Sequence, residues 1–140
     1  MKFLADANFL VALASSRHEH HARAAAWFRG RGAEEVVLAR VTQMSFLRLI
    51  SNPKVMQGDV LTMSAAWNVC KDLQSDWRVA FLQEPAGVDF QWWEFLRAHS
   101  AGHNTWTDAY LAAFASGHGL GIVTFDRDFD KWSRVPVDRP

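Results

Sequence analysis

Short, uninterrupted apolar runs separated by helical patterns limit what this chain can fold into. The runs stand at residues 2–5, 35–39, 78–82 and 121–125, and they do not alternate apolar with polar residues as a half-exposed strand does. Between them, apolar residues recur at the spacing of amphipathic helices. Buried strands that alternate with helices form a sheet covered on both faces. The sequence therefore predicts an α/β fold with a central, mostly parallel sheet.

Polar residues near the start of each helical pattern predict where the helices begin. Asn8, Thr42 and Asp89 are expected to act as N-caps, and Thr105 or Thr107 to open the helix before the last apolar run. Further helices are predicted at about 18–29 and 62–74. The final "SRVPVDRP" is expected to form a short strand and a frayed tail.

Length and charge are those of an ordinary globular domain. The chain has 140 residues, 49% of them hydrophobic, so we expect a single domain over residues 1–140 with enough apolar surface for a core. Its 15 basic and 15 acidic residues give a formal net charge of zero. That balance argues against a surface that grips nucleic acid everywhere, but it allows a local basic rim.

The chain has one cysteine and no recognisable targeting segment. Cys70 cannot form an intrachain disulfide, and its apolar setting predicts a buried thiol in a reducing compartment. The start "MKFLADANFL" lacks the apolar segment of a signal peptide, and no stretch approaches the about 18 apolar residues of a membrane span. We expect a soluble cytoplasmic protein without a membrane partner.

Three acidic residues stand where separate predicted elements meet one edge of the sheet. Asp6 ends the first apolar run, Asp126 ends the last one, and Asp108 lies in the first turn of the helix between. Ligands of open α/β sheets bind outside the carboxyl ends of the strands, so the three carboxylates are expected to share a pocket. Each also has a simpler interpretation: Asp6 as a helix cap, Asp108 as a first-turn charge, and Asp128 and Asp130 as turn residues.

Carboxylates brought close together repel one another or take up protons unless a cation neutralises them. Mg²⁺ or Mn²⁺ prefers oxygen ligands, lowers the pKa of bound water and stabilises charge during attack on a phosphodiester. A magnesium site held by Asp6, Asp108 and Asp126 is therefore one interpretation of these acids, beside the simpler ones.

Two long stretches match a known family. "FLADANFLVAL" and "NTWTDAYLAAFASGHGLGIVTFDRDF" resemble the PIN-domain ribonucleases, and within them the VapC-type toxins of VapBC toxin–antitoxin modules. "HEHHARAAAWF" and "RVTQMSFLRLISNPKV" are similar to one bacterial branch of those toxins. The resemblance implies a three-layer α/β/α fold and metal-dependent endonucleolytic cleavage of RNA. It also implies a homodimer that a small antitoxin inhibits, in a heterotetramer or a larger complex.

The resemblance also assigns roles to single residues. The acids of the family fall on Asp6, Asp108 and Asp126, and Asp128 matches an additional acid that some members have near the metal. Thr124 matches a hydroxyl beside the last acid. The resemblance also matches Asn8 to the polar residue that steadies the first acid, and it implies that Gln43 faces the site.

One expected acid is missing. Many PIN domains have a glutamate in a T-x-x-E pattern after the second strand, whereas "TQMS" puts Ser45 at that position. The loss leaves fewer acidic ligands, so we expect a single Mg²⁺ and not a pair. Arg48 on the same helix is expected either to reach a substrate phosphate or to pair with an acid, and Trp106 either to pack against a helix or to stack on a base.

Other functions remain open at this point. A PIN-like nuclease that processes RNA without an antitoxin would contain the same acids, and the missing glutamate also suits an inactive PIN-like domain that only binds a partner. A receiver-like signalling domain would need paired acids near the N-terminus and a late lysine, which the sequence does not show.

Overall fold

The computed structural model describes residues 1–99 and 102–140. Strands alternate with helices as the apolar runs predict. The strands are β1 (Phe3–Ala5), β2 (Val36–Leu38), β3 (Val79–Phe81), β4 (Gly121–Val123) and β5 (Val137–Asp138). The helices are α1 (Ala7–Ala14), α2 (His21–Arg29), α3 (Arg40–Ile50), α4 (Pro53–Met56), α5 (Met63–Gln74), α6 (Val88–Ala98) and α7 (Thr105–His118), with short 3-10 turns at Gln57–Asp59 and Asp128–Lys131.

The five strands form one sheet in the order β3-β2-β1-β4-β5, and every pairing between them is parallel. Leu4 of β1 lies opposite Val37 of β2 on one side and Ile122 of β4 on the other. The chain first builds the sheet outward from β1 through β2 to β3, and then returns to add β4 and β5 on the other side. The direction of strand order therefore reverses between β1 and β4, which is where open α/β sheets bind their ligands.

Both faces of the sheet are covered by helices, which confirms the three-layer α/β/α prediction. Leu4, Val37 and Ile122 belong to a core shared with α6 and α7. Ala5 and Val123 point the other way, into a core shared with α1, α2, α3 and α5, where Cys70 is buried as predicted. Successive strand residues point into one core and then the other, so every residue of a strand must be apolar and the strands appear as continuous apolar runs.

Three of the predicted helix starts are wrong, and the backbone shows why. α1 begins directly at the end of β1, so Asp6 and not Asn8 is its N-cap. α3 likewise begins directly after β2: Ala39 is at the cap position, and the Thr42 hydroxyl, one turn into the helix, donates to the Ala39 carbonyl at 3.0 Å. α6 starts after Gly87, whose φ of 73° suits a residue without a side chain, and Asp89 falls within its first turn.

The end of the chain is tied to the sheet. The predicted short strand is β5, which pairs with β4. Asp138 accepts a hydrogen bond from the Trp27 indole at 2.8 Å, and Arg139 binds the loop that follows β4. The tail is therefore part of the structure around that loop. None of the helices in residues 1–99 and 102–140 has the length and apolarity that a bilayer span requires.

Candidate functional site

Asp6 serves both as a strand end and as a helix cap. One carboxylate oxygen, Oδ1, accepts from the Ala7 N–H at 2.8 Å, and the other, Oδ2, accepts from the Thr124 hydroxyl at 2.8 Å. The capping interpretation of Asp6 is thus correct, and it is compatible with a role in a site because each oxygen keeps a further acceptor lone pair. Direct passage from β1 into α1 fixes this carboxylate at the edge of the sheet.

Thr124 joins the ends of β1 and β4 across the point where strand order reverses. Its side chain is fully buried, and its hydroxyl lies within hydrogen-bonding distance of Asp6 and, at 3.2 Å, of the Asn8 Oδ1. The same hydroxyl accepts from the Asp126 N–H at 3.0 Å, and Asn8 accepts from the Phe125 N–H at 3.1 Å. Asn8 and Thr124 therefore hold the loop after β4 against Asp6.

Asp126 and Asp128 form a turn at the exit of β4. The Asp126 Oδ1 accepts from the Asp128 N–H at 3.0 Å, and the Asp126 carbonyl accepts from the Arg139 guanidinium at 2.9 Å. Asp130 turns away to form an ion pair with Arg139 at 2.5 Å. Of the three closely spaced aspartates, Asp126 and Asp128 stay beside the candidate site, whereas Asp130 has a cation of its own.

Asp108 completes the group from the first turn of α7. Burial and, after it, the charges of Asp6, Asp128 and Asp126 together raise the pKa of this half-buried carboxyl to about 6, against the opposing charge of Lys131. Burial also raises the pKa of Asp6, where hydrogen bonds from Thr124 and the Ala7 N–H oppose the shift and the charge of Asp126 adds to it. Carboxylates that affect one another in this way share one electrostatic environment.

The carboxylate oxygens suit a hard divalent cation, although the acids are not arranged as a complete set of ligands. Among residues 1–99 and 102–140, no three His, Cys, Asp or Glu side chains are already grouped closely enough to ligate one ion. The carboxylates nevertheless repel each other, and their oxygens are the ligands that Mg²⁺ and Mn²⁺ prefer. A cation would remove that repulsion and draw the side chains of Asp6, Asp108 and Asp126 together.

Two predicted supporting residues lie apart from the acids. Gln43 is 1% exposed, and its amide lies between the Arg40 guanidinium and the Cys70 thiol, so it faces the interior and positions Arg40. Arg48 is exposed and lines a surface cavity of about 670 Å³ together with Ser45. No ion pair of Arg48 with an acid is present in the described part of the chain.

Several residues around the site escaped the sequence analysis. Lys131 lies close enough to Asp108 to lower its pKa, and Arg139 clamps the backbone of Asp126. On the other side of that loop, the His20 ring stacks on Phe125 at 4.6 Å, and the Arg23 guanidinium lies 5.3 Å from the same ring. Lys131, Arg139 and Arg23 give this edge a local basic rim, which a net charge of zero allows. In the sequence, the only indication of basic residues near the acids was the position of Lys131, one turn after Asp128.

Three histidines at the start of α2, His18, His20 and His21, contact neighbouring groups of the protein. His21 contacts the Ala12 carbonyl through its Nδ1 at 2.9 Å, which fastens the start of α2 to α1. His18 accepts from the His20 N–H at 3.0 Å. These contacts are those of ordinary surface histidines.

Comparison with known proteins gives matches along nearly the whole chain. The PIN domain model matches residues 3–135. Ribonuclease VapC41 of Mycobacterium tuberculosis is 36% identical over 139 residues, which span 96% of this chain and 95% of that protein. Ribonuclease VapC38 of the same organism is 31% identical over 123 residues, which span 88% of this chain and 84% of that protein.

Solved structures share the fold at lower identity. VapC20 of Mycobacterium tuberculosis, a toxin that cleaves the sarcin-ricin loop, superposes with a TM-score of 0.69 at 18% identity, over 92% of this chain and 93% of that one. VapBC2 of Rickettsia felis, solved with a fragment of promoter DNA, gives a TM-score of 0.69 at 12% identity, over 99% of this chain and 98% of that one. Such low identities show a common fold and nothing finer.

Proposed function

Because this chain belongs to the PIN-domain family, among the VapC-type ribonucleases, we propose that it is the toxin of a type II toxin–antitoxin module and cleaves RNA phosphodiester bonds with Mg²⁺. Residues 1–140 act as a single PIN domain. One observation supports this proposal above all: Asp6, Asp108 and Asp126, from three separate elements, share one electrostatic environment where the strand order reverses.

We propose that Asp6 and Asp108 hold the cation directly, and that Asp126 completes its shell or orients the attacking water. When bound, the divalent cation supplies charge neutralisation and lowers the pKa of water at the scissile phosphate. Thr124 keeps Asp6 and Asp126 in register by donating to the first and accepting from the backbone of the second. Asp128 adds negative charge beside Asp108 and strengthens the site's preference for a cation.

The remaining polar residues around the site suit an anionic substrate. Lys131 lies near Asp108, and Arg48 is exposed on α3, so both offer charge to RNA phosphates outside the acidic centre. Ser45 in place of a glutamate leaves one carboxylate fewer, which supports a single Mg²⁺, with Mn²⁺ as a substitute.

The proposed role includes protein partners. The VapC-type relatives support a small cognate antitoxin, and we propose a homodimer that binds this antitoxin as a heterotetramer or larger complex. We propose that the protein acts in the cytoplasm of a bacterium, where an RNA substrate is present. In such a module, the gene should adjoin a short reading frame whose product relieves growth arrest when the two are expressed together.

The direct test is cleavage of total and structured RNA by purified protein with Mg²⁺, with Mn²⁺ and with EDTA. We expect cleavage at discrete sites with either cation and none in EDTA. Asp126→Asn should lower the cleavage rate by at least about a hundredfold, since a group that acts on the reacting atoms typically contributes that much or more. The cut sites, mapped by sequencing RNA ends, would identify the substrate.

Asp130→Asn is the matched control, because Asp130 lies four residues further along the same loop and pairs with Arg139 at the surface. It should cleave at nearly the wild-type rate, since exposed ion pairs contribute little. Undiminished cleavage in EDTA, or by Asp126→Asn, would contradict the proposed metal site.

A further inference from the structure

A second concavity opens at the same edge of the sheet as the acids. It has a volume of about 440 Å³ and is lined by Val41, Glu84, Trp92, Trp106, Thr107 and Tyr110. Val41 follows β2, Glu84 follows β3, and Trp106 and Thr107 open α7, so the carboxyl ends of the strands converge on this aromatic pocket as they do on the acids. Its volume is within the range of sites for small organic groups.

The walls of the aromatic pocket are ring faces and ring edges. Trp92 meets Trp106 edge-on at 6.3 Å between ring centroids and Tyr110 edge-on at 5.3 Å. The Trp92 indole donates to the Trp106 carbonyl at 2.8 Å, which holds α6 against the start of α7. Trp106 nevertheless remains 57% exposed, so packing against a helix does not account for its side chain. A large exposed ring in a held position is a ready surface for stacking.

One rim of the aromatic pocket offers a fixed acceptor. The Tyr110 hydroxyl donates to the Glu84 carboxylate at 2.7 Å, and burial together with this hydrogen bond raises the pKa of the Tyr110 phenol, so the phenol stays a donor. Among residues 1–99 and 102–140, Tyr110 is the only hydrogen-bond donor to Glu84, so the second carboxylate oxygen and the remaining lone pairs can accept from a ligand. A flat aromatic group that carries adjacent N–H donors would satisfy both the ring faces and the carboxylate.

The position of the aromatic pocket relates it to the acids without merging the two. Trp106 and Thr107 immediately precede Asp108 in the first turn of α7, a separation of about 3 Å along the helix axis. Residues two apart on a helix differ by about 200° around the axis, so Trp106 and Asp108 lie on opposite flanks of α7. A group in the pocket therefore lies across the first turn of α7 from the metal site and not within it.

We propose that the aromatic pocket binds one unpaired base of the RNA near the site of cleavage, and that this base stacks on Trp106 and donates hydrogen bonds to Glu84. The proposal rests on the ribonuclease function proposed above. Unpaired bases are commonly recognised through aromatic stacking and contacts to their Watson–Crick edge. Guanine fits best, because its adjacent N1–H and amino donors match the two oxygens of a carboxylate, whereas uracil offers a single N–H.

The test is binding of labelled single-stranded oligoribonucleotides by fluorescence anisotropy, in the non-cleaving Asp126→Asn protein. The probes are oligouridine and the same oligomer with guanosine at alternate positions. Trp106→Ala should weaken binding of both probes about tenfold, because stacking on an aromatic side chain contributes that much per base, and Trp106→Phe should retain most of the affinity. Glu84→Gln keeps a hydrogen-bond acceptor for Tyr110, yet it should abolish the preference for guanosine while leaving oligouridine binding unchanged.

Trp93→Ala is the matched control, because Trp93 neighbours Trp92 on α6, is 59% exposed and is not part of the pocket lining. It should bind both probes as the parent does. The pocket proposal fails if Trp106→Ala binds as tightly as Trp93→Ala. It also fails if Trp106→Ala leaves RNA binding intact but prevents capture of the co-expressed antitoxin, which would identify a protein-binding surface instead.

The two proposals can fail separately. Binding in the Asp126→Asn protein requires no cleavage, so the pocket gives an answer even if the wild-type protein cleaves no RNA. Conversely, metal-dependent cleavage by the wild-type protein, with a Trp106→Ala variant that binds and cleaves normally, would leave the ribonuclease and remove the base pocket. Circular dichroism melting curves establish that each variant is folded.

Discussion

The surroundings of Asp108 disfavour the ionised form of its carboxyl group. Burial first, and then the charges of Asp6, Asp128 and Asp126, raise its pKa from 3.8 to about 6. A carboxyl whose folded-state pKa exceeds its unfolded value favours folding only while it is protonated, so its contribution is fully present below pH 3.8 and is lost as the pH rises through about 6. In metal-free protein above pH 6, ionised Asp108 therefore opposes folding.

Replacing Asp108 with its neutral isostere should stabilise the metal-free protein. In EDTA at pH 8, we expect Asp108→Asn to raise the Tm by about 3 °C, the shift that ~1 kcal/mol produces at this chain length when solvent screening of a half-exposed group is allowed for. The gain should shrink as the pH falls from 6 towards 4, where the native carboxyl is itself protonated. Calorimetry of the variant and of the wild type across that pH range measures this difference in Tm.

The same substitution should prevent cleavage, so stability and activity would change in opposite directions. Such a trade-off is expected where function requires like charges to be held together. A Tm gain that does not depend on pH, or a loss of stability at pH 8, would show that the ionised Asp108 carboxylate is not destabilised by the neighbouring charges.

At the residue scale, the sequence identified the side chains that lie next to strand ends. The positions of Asp6 and Asp126 could be predicted because the end of an apolar run fixes the edge of the sheet to which they belong, whereas Thr124 was assigned only through the family resemblance. The burial of Gln43 against Arg40 and Cys70 could not be predicted, because it depends on the rotation of α3, which begins earlier than Thr42 suggested. Arg139 could not be found, because its contact with Asp126 arises only when β5 joins the sheet.

The pairing of β1 with β4 depends on a close approach at Gly121. A Cβ built there would lie 2.7 Å from the Phe3 ring and 3.1 Å from the Pro136 carbonyl oxygen. Phe3 cannot easily turn aside, since its ring is packed edge-on against Trp27 at 5.5 Å. The strand β4, which leads directly to Thr124 and Asp126, thus packs against β1 only because residue 121 has no side chain.

Gly121→Ala should therefore destabilise the protein, by about 1–3 kcal/mol as for other overpacked cores. Chemical unfolding followed by tryptophan fluorescence gives the change in the free energy of unfolding. We also expect reduced cleavage in the folded fraction, because a displaced β4 moves Thr124 relative to Asp6.

Gly58→Ala is the control for the loss of a glycine, because a Cβ at Gly58 would meet nothing within 4 Å and Gly58 does not have a positive φ. It should unfold at nearly the same denaturant concentration as the wild type. Equal midpoints for Gly121→Ala and Gly58→Ala would mean that β1 and β4 tolerate a wider separation than the contacts indicate.

At the element scale, strands were easier to predict than helix starts. A strand buried on both faces needs an apolar run, and that requirement appears in the sequence whatever surrounds it. A helix start depends on where the chain leaves the preceding strand. Because α1 and α3 begin without a linker, the residues at their caps are the strand-end residues Asp6 and Ala39, and the polar residues Asn8 and Thr42 lie inside the helices.

For the whole molecule, the surface formed by α3, α4 and α5 departs from that of a typical monomer. Met63 is 79% exposed, Met44 55%, Trp67 51% and Val55 48%. Met63 and Trp67 also line adjoining surface cavities with Arg48. Clusters of exposed apolar side chains mark interaction surfaces more often than isolated ones do. We expect this face to be buried in the proposed homodimer or by the antitoxin.

A charge at the centre of that face should break the assembly without unfolding the chain. Met63 is the first residue of α5, where a glutamate interacts favourably with the helix dipole, so Met63→Glu should fold normally. In a buried apolar interface the same charge lacks a partner, and we expect association to weaken by roughly thirtyfold or more, the effect of losing about 2 kcal/mol at a hot spot. Light scattering coupled to size-exclusion chromatography, with and without the antitoxin, measures the masses.

Phe90→Glu supplies the comparison, because Phe90 is 70% exposed and lies in the first turn of α6, so the helix-dipole effect is matched while the surface differs. It should assemble as the wild type does. If Met63→Glu and Phe90→Glu both retain the wild-type masses, the partners bind elsewhere. If Phe90→Glu alone dissociates, the interface lies on the α6 side of the molecule, beside the aromatic pocket, and RNA and protein would then compete for that edge.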